Sequence, residues 1–175
     1  MKIKIVRHGQ TDLNYPIRRM QGISNYELNE TGIKQAIETR KLIDNEDIDF
    51  IIVSPLKRAM QTANIINEFR KVKLIVDNRI IEKDYGTLEG TEFKSEYCNL
   101  DFDFSKYGGE SIESCFQRLK EFLNDLKNNY SNKNVLIVTH NGIISILSCL
   151  IEGMPEDMNF EKRGIKTGQI KEFEI

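Results

Sequence analysis

VLIVTHNG at residues 135–142 and IKIVRHG at residues 3–9 carry the chain's two histidines, His140 and His8, each directly after a short apolar stretch. Both stretches, 135–138 and 3–6, are rich in β-branched residues, as strands covered on two faces are. Runs 49–53 (DFIIV) and 74–76 (LIV) have the same character, while the tail 169–175 alternates, is lined with charge and reads as an edge strand. Longer segments of helical period separate the runs. The alternation predicts a three-layer α/β fold: a mainly parallel central sheet, helices on both faces, and an edge strand at the C-terminus.

The helical segments carry their own punctuation. Thr31 precedes an approximate apolar stripe of Ile33, Ala36, Ile37 and Ile43. Ser54-Pro55 reads as an N-cap followed by a first-position proline, opening a helix to about Phe69. Ser111 opens the clearest helix, with Cys115, Phe116, Leu119, Phe122, Leu123 and Leu126 at three- and four-residue steps. The segment from Asn141 is apolar nearly all round, so it reads as a buried helix, stopped at Gly153 with Pro155 just beyond. Residues 87–109 match no element: acids interleave with Phe93, Tyr97, Phe102, Phe104 and Tyr107 before Gly108-Gly109. A stretch of that length reads as a lid or insertion in a single domain spanning 1–175.

Composition narrows the function. The 175 residues are 39% hydrophobic and 30% charged, with 25 Lys and Arg against 27 Asp and Glu, a net charge of -2. That balance speaks against holding nucleic acid or an acidic membrane through the overall field, and no stretch approaches the 18 or so apolar residues of a span. Three cysteines, Cys98, Cys115 and Cys149, without C-x-x-C spacing suit reduced thiols in the cytoplasm better than a disulfide framework or a zinc ribbon. The N-terminus lacks the features of a signal peptide.

Ligands of open α/β sheets bind outside the carboxyl ends of the strands, so His8 and His140 are expected to meet in one crevice. Arg7 precedes His8, and Arg58 falls in the first turns of the helix after 49–53, whose N-terminus favours anions. Glu82 follows the run 74–76 by a short stretch. Two guanidiniums offer planar forks for phosphate oxygens. An imidazole among cations stays neutral and keeps a nucleophilic lone pair, and a lone carboxyl is a natural proton donor to a leaving oxygen. Fixed cations can align and neutralise a phosphoryl group, so neither metal nor cofactor is expected.

The residues then match a known pattern in order. Arg7-His8-Gly9-Gln10-Thr11, Asn14 and Arg19-Met20-Gln21-Gly22 resemble the opening of the histidine phosphatase superfamily, the phosphoglycerate mutase-like proteins. Leu28-Asn29-Glu30-Thr31-Gly32, Ser54-Pro55-Leu56-Lys57-Arg58-Ala59, Glu82-Lys83-Asp84-Tyr85-Gly86 with Glu89-Gly90, Gly109-Glu110-Ser111 and His140-Asn141-Gly142 continue it over nearly the whole chain. The resemblance implies that His8 is the nucleophile that becomes phosphohistidine and Glu82 the proton donor. It implies that Arg7, Arg58 and His140 hold the transferring phosphoryl, and that Asn14, Gln21, Gly22 and Asn141 line the phosphate site. Gln10 and Asn25 stand where many members have Glu and Asp, outside the core catalytic positions.

The expected activity is metal-independent hydrolysis of a small phosphorylated metabolite. A cofactor-dependent phosphoglycerate mutase is the enzyme alternative. Such mutases are longer and carry a paired-arginine segment after the Glu motif, whereas 87–109 is acidic here and a poor cradle for a second phosphate. The alternative of another class is an idle phosphate-binding module, opposed by the presence together of His8, Arg58, Glu82 and His140. Asp101-Phe102-Asp103 superficially matches a haloacid dehalogenase nucleophile motif but follows no apolar run. Cysteine phosphatases need Arg six residues after Cys, where Phe104, Glu121 and Pro155 stand.

Overall fold

A computed structural model describes all 175 residues. Strands β1 (Lys2–Arg7), β2 (Phe50–Val53), β3 (Lys73–Val76), β4 (Val135–Thr139) and β5 (Ile170–Glu174) form one sheet in the order β3-β2-β4-β1-β5. The first four are parallel; β5 runs antiparallel along the β1 edge, with Ile3 opposite Phe173. β2 and β4 are buried at every position, which explains their unbroken apolar sequences. β5 buries only Phe173, the signature of an edge.

Alternation along the strands sends side chains into two cores. Ile3, Ile5, Ile52 and Ile137 pack with Cys115, Leu119, Phe122 and Leu126 of helix α3 (Ile112–Tyr130) and Ile143, Ile144 and Leu147 of helix α4 (Asn141–Glu152). On the other face Val6, Ile51, Val53, Leu136 and Val138 meet Ala59, Ala63 and Ile66 of helix α2 (Lys57–Asn67), against which α1 (Glu30–Leu42) lies. Ser111 caps α3 by accepting from the Ser114 amide, and α4 ends at Gly153 (φ 92°).

Three local expectations are corrected. α1 is capped by Asn29, which accepts from the Gly32 amide, and its buried positions are Gly32, Ala36 and Thr39, while Ile33 is 43% exposed. The reason is a backbone contact: a Cβ on Gly32 would lie 2.1 Å from the Gln10 carbonyl, and one on Gly9 would lie 2.3 Å from the Gly32 carbonyl. Small residues face that contact and push the isoleucine outward. α2 begins at Lys57 with Leu56 at the cap position and no side-chain cap, and it stops at Asn67, so Ser54-Pro55 precedes the helix. The Ser54 hydroxyl is taken by His140 instead. Finally, 87–109 is not featureless. It folds into 3₁₀ turns at Ser95–Cys98 and Phe104–Tyr107 around Tyr97, Phe104 and Met20, with Phe93 and Phe102 packed against them. Residues 18–20 are stitched to it: Met20 donates to the Thr91 carbonyl, Gly90 to Met20, and Phe93 to Arg18.

The Gly32 contact reverses a usual rule. Glycine to alanine inside a helix ordinarily stabilises by about 1 kcal/mol. Gly32→Ala is instead expected to destabilise by about 1–3 kcal/mol through overpacking, lowering the melting temperature by about 2–10 °C. An unchanged or higher melting temperature in calorimetry contradicts this account.

Candidate active site

The sheet delivers its functional groups at one end. His8 leaves β1, and its amide donates to the Thr139 carbonyl at the end of β4, so the two histidine-bearing turns are side by side. The rings lie 5.1 Å apart between centroids, tilted by 54°. The His8 Nδ1 is 2.7 Å from the Gly9 carbonyl. A carbonyl only accepts, so the proton is assigned to Nδ1 and the lone pair to Nε2. Gly9 is held in turn by its amide donating to Thr62 Oγ1, while that hydroxyl donates to the Arg58 carbonyl.

Arg58 joins the pieces. Its Nε donates to both His8 Nε2 (3.3 Å) and His140 Nδ1 (3.2 Å), and its terminal nitrogens donate to the Ser24 and Gly22 carbonyls at 2.7 Å. With Nδ1 of His140 accepting, its Nε2–H donates to Ser54 Oγ at 2.7 Å. This bond occupies the hydroxyl expected to cap α2. Burial first, and then the charges of Arg58 and Arg7, hold His8 well below its ordinary pKa of 6.5; burial and Arg58 do the same to His140. Both imidazoles are therefore neutral at pH 7.

Arg7 lines the cleft with one terminal nitrogen on the Ile165 carbonyl, while its Nε is buried without a partner. Burial lowers both guanidiniums to about 10, so each remains charged at neutral pH. Glu82 is buried and accepts from the amides of Lys83 (3.0 Å) and Gly142 (3.3 Å). Burial raises its pKa above 4.5 against the pull of Arg58. Gly142 is required there, because a Cβ would come 2.6 Å from the Glu82 carboxylate.

The polar lining presents donors. Asn14 Oδ1 accepts from the Thr11 amide, and Gln21 Oε1 from the Thr11 hydroxyl. Asn141 Oδ1 accepts from the Ile165 amide. With these oxygens occupied, all three side-chain NH₂ groups are left to meet an acceptor. Arg7, His8, Asn14, Gln21, Gly22, Arg58, Glu82 and Asn141, eight of the nine residues expected from sequence, line one narrow cleft of about 60 Å³. His140 is the exception. It is fully buried, its Nδ1 accepts from the Arg58 Nε, and its ring lies 5.1 Å from that of His8. No group of three His, Cys, Asp or Glu side chains stands close enough together to hold a metal ion.

The sequence foreshadows the outer wall of the cleft only in part, through the aromatic stretch 87–109. Arg18, Phe93, Tyr97, Cys98, Phe160 and Glu161 line it. None belongs to a strand-end pattern, and Glu161 lies on a 3₁₀ turn, Phe160–Arg163, that had no sequence signal. Glu89, which the sequence marks only as part of a motif, accepts from the Ile23, Ser24 and Tyr85 amides and so fixes the carbonyls that hold Arg58.

Known proteins are similar along most of the chain. It is 37% identical over 157 residues to the Bacillus subtilis protein named uncharacterized phosphatase PhoE, covering 85% of this chain and 76% of that one. It is 32% identical over 164 residues to phosphoserine phosphatase 1 of Hydrogenobacter thermophilus, covering 88% and 77%. The solved structure of Bacillus stearothermophilus YhfR superposes with a TM-score of 0.87 over 99% of this chain and 91% of that one, at 24% identity. A family model described as histidine phosphatase superfamily (branch 1) matches residues 3–175. With that match over nearly its whole length, the chain that brings two neutral imidazoles onto one buried guanidinium belongs to the histidine phosphatase superfamily.

Proposed function

We propose that this chain hydrolyses phosphomonoesters of small metabolites through a phosphohistidine on His8. The observation that carries the reading is the Nδ1–H···O=C bond to Gly9, which puts the lone pair on Nε2, where only the shared Arg58 Nε–H at 3.3 Å meets it. In the first half-reaction Nε2 attacks phosphorus. The N–P bond forms, the bond to the leaving oxygen breaks, and Glu82 gives its proton to that oxygen. Arg7, Arg58 and the amides of Asn14, Gln21 and Asn141 carry the charge on the equatorial oxygens. In the second half-reaction water attacks phosphorus, Glu82 takes its proton, the N–P bond breaks and inorganic phosphate leaves. His140, 5.1 Å from His8 and accepting from Arg58, joins the two arginines in holding the transferring phosphoryl. Residues 1–175 act as one domain in this reading, with 87–109 as its insertion. The three free, buried cysteines support a reducing, cytoplasmic setting, and no helix is long and apolar enough to cross a membrane.

His8→Ala is expected to lower kcat by about 10⁴-fold or more and to abolish acid-labile labelling by ³²P-substrate. Retention of labelling moves the nucleophile elsewhere. Wild-type hydrolysis of p-nitrophenyl phosphate is expected to persist in excess EDTA and to be inhibited by vanadate. A strict need for magnesium overturns the proposed charge stabilisation, and fast isomerisation of 3-phosphoglycerate in the presence of 2,3-bisphosphoglycerate identifies a mutase instead.

The pH profile follows from the two shifted groups. Nucleophilic attack needs neutral His8, whose depressed pKa places the acid limb of kcat/KM below 6.5. Protonation of the leaving oxygen needs Glu82–H, whose raised pKa places the basic limb above 4.5. Glu82→Gln is expected to remove the basic limb, keep the acid limb, and slow alkyl phosphates by about 10²–10⁴-fold but p-nitrophenyl phosphate much less. Equal slowing of both substrates removes Glu82 from the proton-donor role.

A further inference from the structure

The cleft holds a second pair of opposite charges that phosphoryl transfer does not use. Arg18 and Glu161, 143 residues apart in sequence, both line it and pair with each other. Their side chains are 41% and 37% exposed, open to the cleft yet anchored. The Arg18 guanidinium carbon sits 3.4 Å above the Phe93 ring centroid, and the Cys98 thiol faces Glu161. Arg18 is also the neighbouring charge felt most strongly at Arg7, so the pair stands beside the phosphate end. The other charged groups have assignments. Arg7 and Arg58 serve the phosphoryl and Glu82 the leaving oxygen, while Arg19 donates to the Gly90 carbonyl. Arg18 and Glu161 are what remains to meet the rest of a substrate, between the aromatic surfaces of Phe93, Tyr97 and Phe160.

We infer that Arg18 and Glu161 form a subsite selective for zwitterions, and that the preferred substrate is a phosphomonoester whose alcohol carries a free carboxylate and a free ammonium on one carbon. The inference rests on the phosphomonoesterase reading above. A zwitterion exchanges one ion pair for two, carboxylate on Arg18 and ammonium on Glu161, and strands no charge. A carboxylate-only alcohol claims Arg18 and leaves Glu161 unneutralised beside an already anionic substrate. An ammonium-only alcohol leaves Arg18 without a partner, and a neutral one gains nothing from opening the pair. Discrimination thus comes largely from the charge that a wrong ligand orphans. A phosphorylated residue inside a peptide has amides in place of both charges, so the class is the free amino acid.

The test compares kcat/KM for O-phospho-L-serine with 3-phosphoglycerate (no ammonium), phosphoethanolamine (no carboxylate), glycerol 3-phosphate (neither) and N-acetyl-O-phosphoserine amide (peptide-like). p-Nitrophenyl phosphate reports whether the enzyme hydrolyses phosphomonoesters at all. O-phospho-L-serine is expected to lead each of the four by about tenfold or more, a ratio equivalent to roughly 1.4 kcal/mol. In Glu161→Gln its lead over 3-phosphoglycerate should collapse towards one, and in Arg18→Gln its lead over phosphoethanolamine should do so. Ratios within one variant cancel any general loss of activity. Hydrolysis of all four comparison esters within threefold of O-phospho-L-serine overturns the inference, as do variants that leave the ratios unmoved. Failure to hydrolyse p-nitrophenyl phosphate as well brings down the phosphatase reading itself.

Discussion

A buried cation without a touching counter-ion organises this protein. The Arg58 side chain is wholly inaccessible and meets no carboxylate; carbonyls of Gly22 and Ser24 and the two imidazoles are its partners. Taking a charge out of water costs several kcal/mol, and charge-assisted bonds to fixed carbonyls offset much of it. The result is a positive field confined to one end of the sheet, reinforced by Arg7 with its unpartnered Nε. The imidazoles stay neutral in that field, and the missing negative charge is the one a phosphoryl group brings. Burial first and this guanidinium second thus keep His8 neutral, and the same charge favours an anionic ligand.

Glycines make this convergence sterically feasible. Gly9 and Gly32 let the turn after β1 lie against the start of α1, and Gly142 gives the Glu82 carboxyl its place at the start of α4. The chemical groups are delivered by regular elements, and glycine lets those elements approach within distances no side chain tolerates. Thr62, Ser54 and Thr11 then commit their hydroxyls inside the site to Gly9, His140 and Gln21.

The sheet was legible because doubly covered strands write their burial as unbroken apolar runs, and the histidines were legible because each directly follows such a run. Both signals are local. Helix starts were read less well: Ser54 has the form of a cap, but its hydroxyl is more useful to His140, a partner 86 residues away that no local pattern encodes. Ile33 fits a helical stripe whose Ala36 and Ile43 are buried, yet the glycine contact with the chain at Gln10 leaves Ile33 itself outside. The outer wall was legible only as an aromatic stretch, not as a wall. Arg18, Phe93 and Glu161 come from irregular segments whose meeting is decided by tertiary packing alone.

Glu89 belongs to the insertion, but its carboxylate grips the 23–24 backbone, whose neighbouring carbonyls hold Arg58. Residues 87–109 are thus fastened to the Arg58 cluster through one acid near their beginning, and again through Thr91 and Phe93, which are hydrogen-bonded to Met20 and Arg18. Phe93 and Tyr97 line the cleft from the same stretch, while Leu100 and Phe104 are buried beneath it. A grafter wishing to remodel this wall would therefore have to keep Leu100 and Phe104 as anchors, transplant residues 18–20 along with the loop, and vary only the side chains that face the cleft.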